Sequence, residues 1–87
     1  MPDYQILISK TAQKQLDELP DQITEKLITS IWQLSKNPRP SGYIKLKGRD
    51  AYRIRKGDYR IIYEIIDKLL LIDIIAIGQR QQIYKKR

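Results

Sequence analysis

Residues 51–64, AYRIRKGDYRIIYE, contain two β-favouring runs separated by Gly57-Asp58. A glycine that opens a two-residue loop supplies the positive φ that a tight hairpin needs. Counting outward from this loop predicts the pairs Lys56–Tyr59, Arg55–Arg60, Ile54–Ile61, Arg53–Ile62 and Tyr52–Tyr63. Opposed residues share a face of the sheet, and side chains alternate along each strand. The hairpin therefore places Ile54 and Ile61 on one face and Arg53, Arg55 and Arg60 on the other.

The shared face of the three arginines has two interpretations. Like charges opposite one another in a ladder cost about a few tenths of a kcal/mol or more per pair. The face is either a solvated outer surface, as is usual in antiparallel sheets, or a site for an anion, because arginine makes bidentate contacts to phosphate. The hairpin alone leaves both open.

Length and composition indicate one small domain over residues 1–87. Of the 87 residues, 41% are hydrophobic, which is enough for a single modest core. The chain has no cysteine and no histidine, so we expect neither disulfides nor a metal site nor a cofactor, and the commonest general base is missing. Asp3 and the lack of an early apolar run predict that there is no signal peptide. Charged residues interrupt the apolar stretch 61–77, which excludes a membrane span. A cytoplasmic protein without a membrane partner is expected.

Positive charge is concentrated in two segments. Residues 39–60 carry eight Lys or Arg against two Asp, a net charge of +6, and residues 80–87 add +4 to a chain whose total is +7. Such clustering indicates a polyanionic partner, either nucleic acid or an acidic protein.

The rest of the chain predicts an α+β fold. A strand at residues 4–8 precedes a helix at about 10–18 with Ser9 as its N-cap, and Pro20 fits the first turn of a second helix that runs to about Lys36. Strands follow at residues 43–47, 52–56, 59–66 and 69–77, the last one buried on both faces and ended by Gly78. The order β-α-α-β-β-β-β predicts two N-terminal helices packed on a small antiparallel sheet, with the arginines on the open face.

The tyrosines have different predicted roles. Tyr4, Tyr52 and Tyr63 fall on apolar-facing positions and are expected in the core, with their hydroxyls at its rim. Tyr84 lies in the basic tail beside Lys85 and Lys86, where it either stacks on a nucleic acid base or holds the tail against the sheet.

The ordered set of motifs resembles the RelE/ParE superfamily of small bacterial toxins from toxin–antitoxin operons. The resemblance covers essentially the whole chain and rests on the element order and on these motifs: Leu19-Pro20, Asn37-Pro38, Lys45-Leu46-Lys47-Gly48, Tyr52-Arg53-Ile54-Arg55, residues 57–64, Gly78-Gln79-Arg80 and Ile83-Tyr84. The RNA-cutting RelE-like branch is the most similar. Its resemblance implies a ribosome-dependent mRNA endonuclease that works in the ribosomal A site, contacts mRNA and rRNA, and is held inactive by a cognate antitoxin in a hetero-oligomer.

The resemblance also implies the roles of individual residues. The catalytic set implied is Arg53, Arg55, Arg60, Arg80 and Tyr84, and the expected RNA-binding cations are Lys45, Lys47, Arg49, Lys56, Lys85 and Lys86. Metal-free cleavage has the 2′-hydroxyl attack the adjacent phosphate, which needs cations around that phosphate and a group to take the proton. Many relatives have lysines at the positions of Arg53 and Arg55 and histidine at that of Gln79, so the general base stays unassigned. Tyr84 is the first candidate, and Glu64 is the second, with a role as ion-pair partner as its alternative.

Two other functions share this fold or this charge. A ParE-like toxin poisons DNA gyrase through protein–protein contact, and a basic RNA-binding module would bind without cutting.

Overall fold

The chain folds into two helices and a five-stranded sheet. The computed structural model describes residues 3–48 and 50–79. The elements are β1 Gln5–Ile8, α1 Lys10–Asp17, α2 Asp21–Lys36, β2 Ile44–Lys45, β3 Tyr52–Lys56, β4 Tyr59–Ile66, a short 3₁₀ turn Asp67–Leu69, and β5 Leu71–Gln79. The strands lie in the order β1-β5-β4-β3-β2. The predicted α+β fold and the order of its elements are confirmed.

The β3–β4 hairpin has the predicted register throughout. Arg55 pairs with Arg60 and Ile54 pairs with Ile61, and the three other predicted pairs are also present. Gly57 has φ +59°, which is the positive value that the first position of the two-residue loop requires.

The helices form where their caps and apolar stripes predict. The Ser9 hydroxyl accepts a hydrogen bond from the Ala12 N–H at 3.0 Å and caps α1. Pro20 occupies the N-cap of α2, one position before the predicted first turn. The helices bury their apolar residues against one face of the sheet, in a core that contains Ala12, Leu16, Leu27, Ile31, Leu34, Ile61, Tyr63, Ile72, Ile74 and Ile77.

Three predicted strands have different limits or partners. The strand predicted at residues 43–47 has only two residues, Ile44 and Lys45. The last strand begins two residues late, because the 3₁₀ turn occupies Asp67–Leu69 and Leu70 follows it with φ +51°. Gly78 does not end this strand, which continues to Gln79. β1 pairs with β5 in parallel, whereas the other strand pairs are antiparallel.

The sheet also departs from the prediction that β5 is buried on both faces. Ile72, Ile74 and Ile77 are buried against the helices, whereas Leu71 and Asp73 on the other face are half-buried. A β-bulge places Ile75 between the residues that pair with Ile62 and Tyr63. Within the described residues, no helix is long and apolar enough to cross a membrane.

Candidate functional site

Three arginines project from the face of the β3–β4 hairpin that the helices do not cover. The register places Ile54, Ile61 and Tyr63 on the helix side, where they contact the core. Side-chain alternation then places Arg53, Arg55 and Arg60 on the opposite side. We call this surface the arginine face. Arg55 and Arg60 are direct cross-strand neighbours, and Arg53 precedes Arg55 by two residues, which is about 6.6 Å along a strand.

The three arginines differ in burial. Arg55 is exposed and Arg53 is half-buried, whereas Arg60 is only 3% exposed. Ile62, on the same face of β4, is also 3% exposed. The prediction of an open arginine face is therefore wrong at its centre. Alternation along a strand assigns a side chain to a face, but it does not reveal what lies over that face.

The predicted RNA-binding lysines do not all share the arginine face. Lys45 pairs with Tyr52 and Lys56 pairs with Tyr59, and both tyrosines belong to the helix side of the sheet. Lys47 is exposed beyond the end of β2. The Lys45 ammonium lies 3.9 Å from the Asp50 carboxylate. The predicted site residues Arg49, Arg80, Tyr84, Lys85 and Lys86 lie outside the described residues.

Glu64 lies on the arginine face, as counting predicts, but at a distance from Arg60. Four residues separate them along β4, which is about 13 Å between Cα atoms at the usual rise of a strand. Glu64 is half-buried and pairs directly with Asp73 of β5. It takes part in none of the ion pairs between described side chains. The role of Glu64 as ion-pair partner of the arginines is therefore not observed among the described residues.

A groove of about 610 Å³ begins beside Arg55. α2 and the loop after it form one wall, and the end of β3 forms the other, with Ile54, Arg55 and Lys56. β2 pairs only with Tyr52 and Arg53, so it does not extend along this part of β3. Two of the residues that line the groove, Arg55 and Lys56, are cations, and Arg55 also belongs to the arginine face.

A polar cluster that the sequence did not reveal fixes the loop after α2. The Arg39 guanidinium makes two hydrogen bonds to the Asp67 carboxylate, at 2.9 and 3.4 Å, and the Tyr4 hydroxyl donates to the same carboxylate at 2.6 Å. These donors lower the pKa of Asp67, with Arg39 as the larger cause. Arg39 also lies 5.9 Å from the centre of the Tyr52 ring. The partners are up to 63 residues apart in sequence, so no local pattern could have predicted them.

Tyr63 corrects the prediction that the core tyrosines have their hydroxyls at the rim. It is fully buried, and its hydroxyl donates to the Pro38 carbonyl at 2.7 Å. Burial is the main cause of the raised pKa of Tyr63, so the hydroxyl remains a donor. Its ring lies 6.0 Å from that of Tyr52, which lies 5.7 Å from that of Tyr43. The tilted ring contacts and the hydrogen bond join the loop to the centre of the sheet.

Two helices lie on one face of a hairpin-centred sheet and three arginines lie on the other, which is the α+β arrangement that the resemblance to the RelE/ParE superfamily of toxins predicts. The chain belongs to the family described as ParE toxin of type II toxin-antitoxin system, parDE, whose model matches residues 6–84. It is therefore a toxin of a type II toxin–antitoxin system.

Relatives and solved structures within this superfamily are similar along most of the chain. Toxin RelE of Mycobacterium tuberculosis is 30% identical over 94% of this chain and 87% of the relative. The mRNA interferase toxin RelE of Escherichia coli is 28% identical over 91% of this chain and 85% of the relative. The toxin in the archaeal RelE-RelB complex from Pyrococcus horikoshii superimposes with a TM-score of 0.80 at 33% identity, covering 90% of this chain and 96% of that one.

Proposed function

We propose that this chain is an endoribonuclease that cuts messenger RNA in the ribosomal A site and thereby inhibits translation. The observation that carries the proposal is the set of three arginines on one face of the β3–β4 hairpin, in a chain whose relatives include an mRNA interferase toxin. A ribosomal target would place the protein in the cytoplasm, where residues 1–87 would act as one domain.

The reaction we propose is attack of the RNA 2′-hydroxyl on the adjacent phosphate, without a metal ion. The 2′-hydroxyl gives its proton to an acceptor and its oxygen forms a bond to phosphorus, while the bond to the 5′-oxygen breaks and the 5′-oxygen takes up a proton. The products are a 2′,3′-cyclic phosphate and a 5′-hydroxyl. The transition state carries extra negative charge on the phosphate oxygens, and fixed cations stabilise that charge. The residues we propose for this role are Arg53, Arg55, Arg60 and Arg80.

Arg60 has a distinct part in this proposal. Because its side chain is almost completely buried, its charge acts in a medium of lower effective dielectric constant than that around Arg55. A fixed charge of this kind needs little reorganisation when the transition state forms. Arg55, which is exposed and directly opposite Arg60, is the residue we expect to meet the phosphate first.

The proton acceptor that we favour is Tyr84. Glu64 is less suited to this role, since it lies about 13 Å from Arg60 along β4 and the phosphate is proposed to sit beside Arg55 and Arg60. A proton acceptor must come within about 3 Å of the group it deprotonates, directly or through one water.

A cognate antitoxin is the proposed regulator. The similar archaeal toxin was solved in complex with RelB, and a +7 chain suits a partner with acidic side chains. We propose that the antitoxin forms a hetero-oligomer with the toxin and prevents its access to the ribosome. Added antitoxin should then abolish cleavage and raise the melting temperature.

Primer extension on a defined message during in vitro translation tests this function. The wild-type protein should produce cuts in register with the codons, and Arg60→Ala should reduce the cleavage rate by roughly 100- to 1000-fold. Lys26→Ala is the matched control, because it removes an exposed cation from α2, and it should cut like the wild type. A message with 2′-O-methyl at the cut position should resist cleavage, and continued cutting there would refute 2′-hydroxyl attack.

Tyr84→Phe tests the proton acceptor. It keeps the ring and removes the hydroxyl, so we expect a loss of ~100-fold or more in single-turnover cleavage with ribosome binding intact. A Phe variant that cuts at the wild-type rate would exclude Tyr84 from proton transfer.

A second candidate function is gyrase poisoning, which is favoured by the ParE description of the matching family. A DNA supercoiling assay separates the two. Loss of supercoiling activity without any cut message would support the gyrase poison, and RNA binding without either effect would support a non-catalytic module.

A further inference from the structure

None of the described strands pairs with the outer edge of the end of β5. The pairing of β1 with β5 ends at Ile8 of β1 and Ile74 of β5. β5 continues to Gln79, and residues 76–79 pair with β4 on the inner edge. Within the described part of the chain, the outer edge from Ile75 onward therefore meets its backbone hydrogen-bonding needs without a neighbouring strand.

The N-cap residue of α1 and a residue near its C-terminal end make hydrogen bonds to this edge instead. The Ser9 hydroxyl donates to the Ile75 carbonyl at 2.8 Å. One turn and a half further along, the Gln15 side-chain oxygen accepts a hydrogen bond from the Ile77 N–H at 2.6 Å. Because an N–H can only donate, the side-chain oxygen of Gln15 is the atom that must face it.

Gln15 is also the last such tie along this edge. Among the described residues, no other side chain makes a hydrogen bond to the backbone of β5 beyond Ile75. After Gln15, the edge borders a groove of about 330 Å³ lined by Glu18 and Leu19, which directly follow α1, and by the end of β5. Among the described residues, this side-chain hydrogen bond, the pairing with β4 and the packing of Ile77 in the core together hold the end of β5.

The end of β5 lies beside the arginine face. Gly78 is the direct cross-strand partner of Arg60, and Arg80 follows two residues later in the sequence. Displacing a reacting group by about 1 Å can cost about 100-fold in rate. A contact that fixes Ile77 therefore also helps to place Gly78, which lies opposite Arg60, and Gln79, which precedes Arg80 in the sequence.

We propose that Gln15 is a positioning residue of the arginine face. Its side-chain oxygen accepts a hydrogen bond from the Ile77 N–H and so holds the end of β5 in register beside Arg60. The proposal rests on the cleavage function proposed above. Gln15 does not touch the RNA in this role, and it acts through the backbone of β5.

Two measurements on the full-length protein test the role. The first is amide hydrogen exchange at Ile77, which should become about fivefold faster or more in Gln15→Met, a variant of similar length that accepts no comparable hydrogen bond. The second is single-turnover cleavage on programmed ribosomes, where Gln15→Met should cut about 10- to 100-fold more slowly with unchanged ribosome affinity. Gln15→Glu keeps an acceptor oxygen and should restore both properties.

Gln13→Met is the matched control. Gln13 lies in the same helix and is exposed, and its amide donates to Asp17 at 3.0 Å rather than to the sheet. It should leave both the exchange at Ile77 and the cleavage rate unchanged. If Gln15→Met does not fold, Gln15→Lys and Gln15→Glu replace it, because both are long and charged but only Glu can accept.

Unchanged exchange at Ile77 in Gln15→Met would refute the hydrogen bond as a tie. Faster exchange with undiminished cleavage would refute the positioning role. If the wild-type protein cut no message at all, the proposed function would fail, and the exchange measurement would still decide whether Gln15 holds β5.

Discussion

Removing the Tyr63 hydroxyl tests how the loop after α2 is held on the sheet. Tyr63 is fully buried, and its hydroxyl donates to the Pro38 carbonyl at 2.7 Å. Tyr63→Phe deletes this hydrogen bond and keeps the ring, so the packing of Tyr63 against Tyr52 at 6.0 Å remains. Pro38 is itself buried, so its carbonyl loses a partner that water cannot easily replace.

The expected loss follows from this geometry. An unsatisfied buried polar group costs about 1–3 kcal/mol, and we take about 2 kcal/mol for this carbonyl. A chain of this size has a free energy of unfolding of roughly 4–13 kcal/mol, so the loss is a substantial fraction of it. At about 4–8 °C per kcal/mol for a small domain, the melting temperature should fall by about 8–16 °C.

Thermal unfolding followed by circular dichroism measures this shift. Tyr4→Phe is the matched control, because it removes a tyrosine hydroxyl that bonds to an exposed carboxylate, which Arg39 continues to bind. Its melting temperature should fall clearly less. If Tyr63→Phe melted within about 2 °C of the wild type, or if Tyr4→Phe lost as much, the buried hydrogen bond would not be what holds the loop.

The structure determines the direction of the stability change for three further substitutions. Gly57→Ala should destabilise the hairpin by about 1–2 kcal/mol in urea unfolding, because Gly57 has φ +59°, which is unfavourable for a residue with a Cβ atom. The cost comes from the backbone alone, since the added Cβ would meet no atom within 4 Å. Leu70→Asn should stabilise the fold by roughly 0.5 kcal/mol in the same assay, since Leu70 adopts φ +51° and is partly exposed. The contact of Asp67 with Arg39 and Tyr4 lowers its folded pKa below the ordinary 3.8, so its stabilisation is complete above that pH and is lost as the pH falls through the folded value. The free energy of unfolding of Asp67→Asn should therefore not show this loss at low pH. A variant whose stability had the same pH profile as that of the wild type would contradict the assignment of the loss to Asp67.

The sequence predicts the β3–β4 hairpin completely, and with it the common face of the arginines. The reason is physical: the loop at Gly57 determines the register, and alternation along the strands then determines the face of every side chain. The two helices are also predicted by residues close together in the chain, because the Ser9 cap specifies the start of α1 and the spacing of Leu27, Ile31 and Leu34 specifies the buried face of α2. A one-residue slip of β3 against β4 would move Arg53 and Arg55 to the core face and Ile54 away from it, which the burial of the apolar residues disfavours.

The sequence is less informative where a strand's limits depend on its neighbours. β2 has two residues because only Ile44 and Lys45 find partners on β3. β5 begins two residues late because Leu69 belongs to the 3₁₀ turn and Leu70 follows it in the left-handed conformation. Pairing of this kind is decided between segments and not within them.

Residues close together in the chain are thus sufficient to specify the elements, the hairpin register and the charge of one face. The packing of distant segments, in contrast, buries Arg60 while it leaves Arg55 exposed, and it places Glu64 opposite Asp73. The same holds for the contacts of Arg39 with Asp67 and of Gln15 with Ile77, which join residues 28 and 62 positions apart. Burial and long-range hydrogen bonds depend on which surfaces the packed helices and strands bring together, and no local pattern encodes that arrangement.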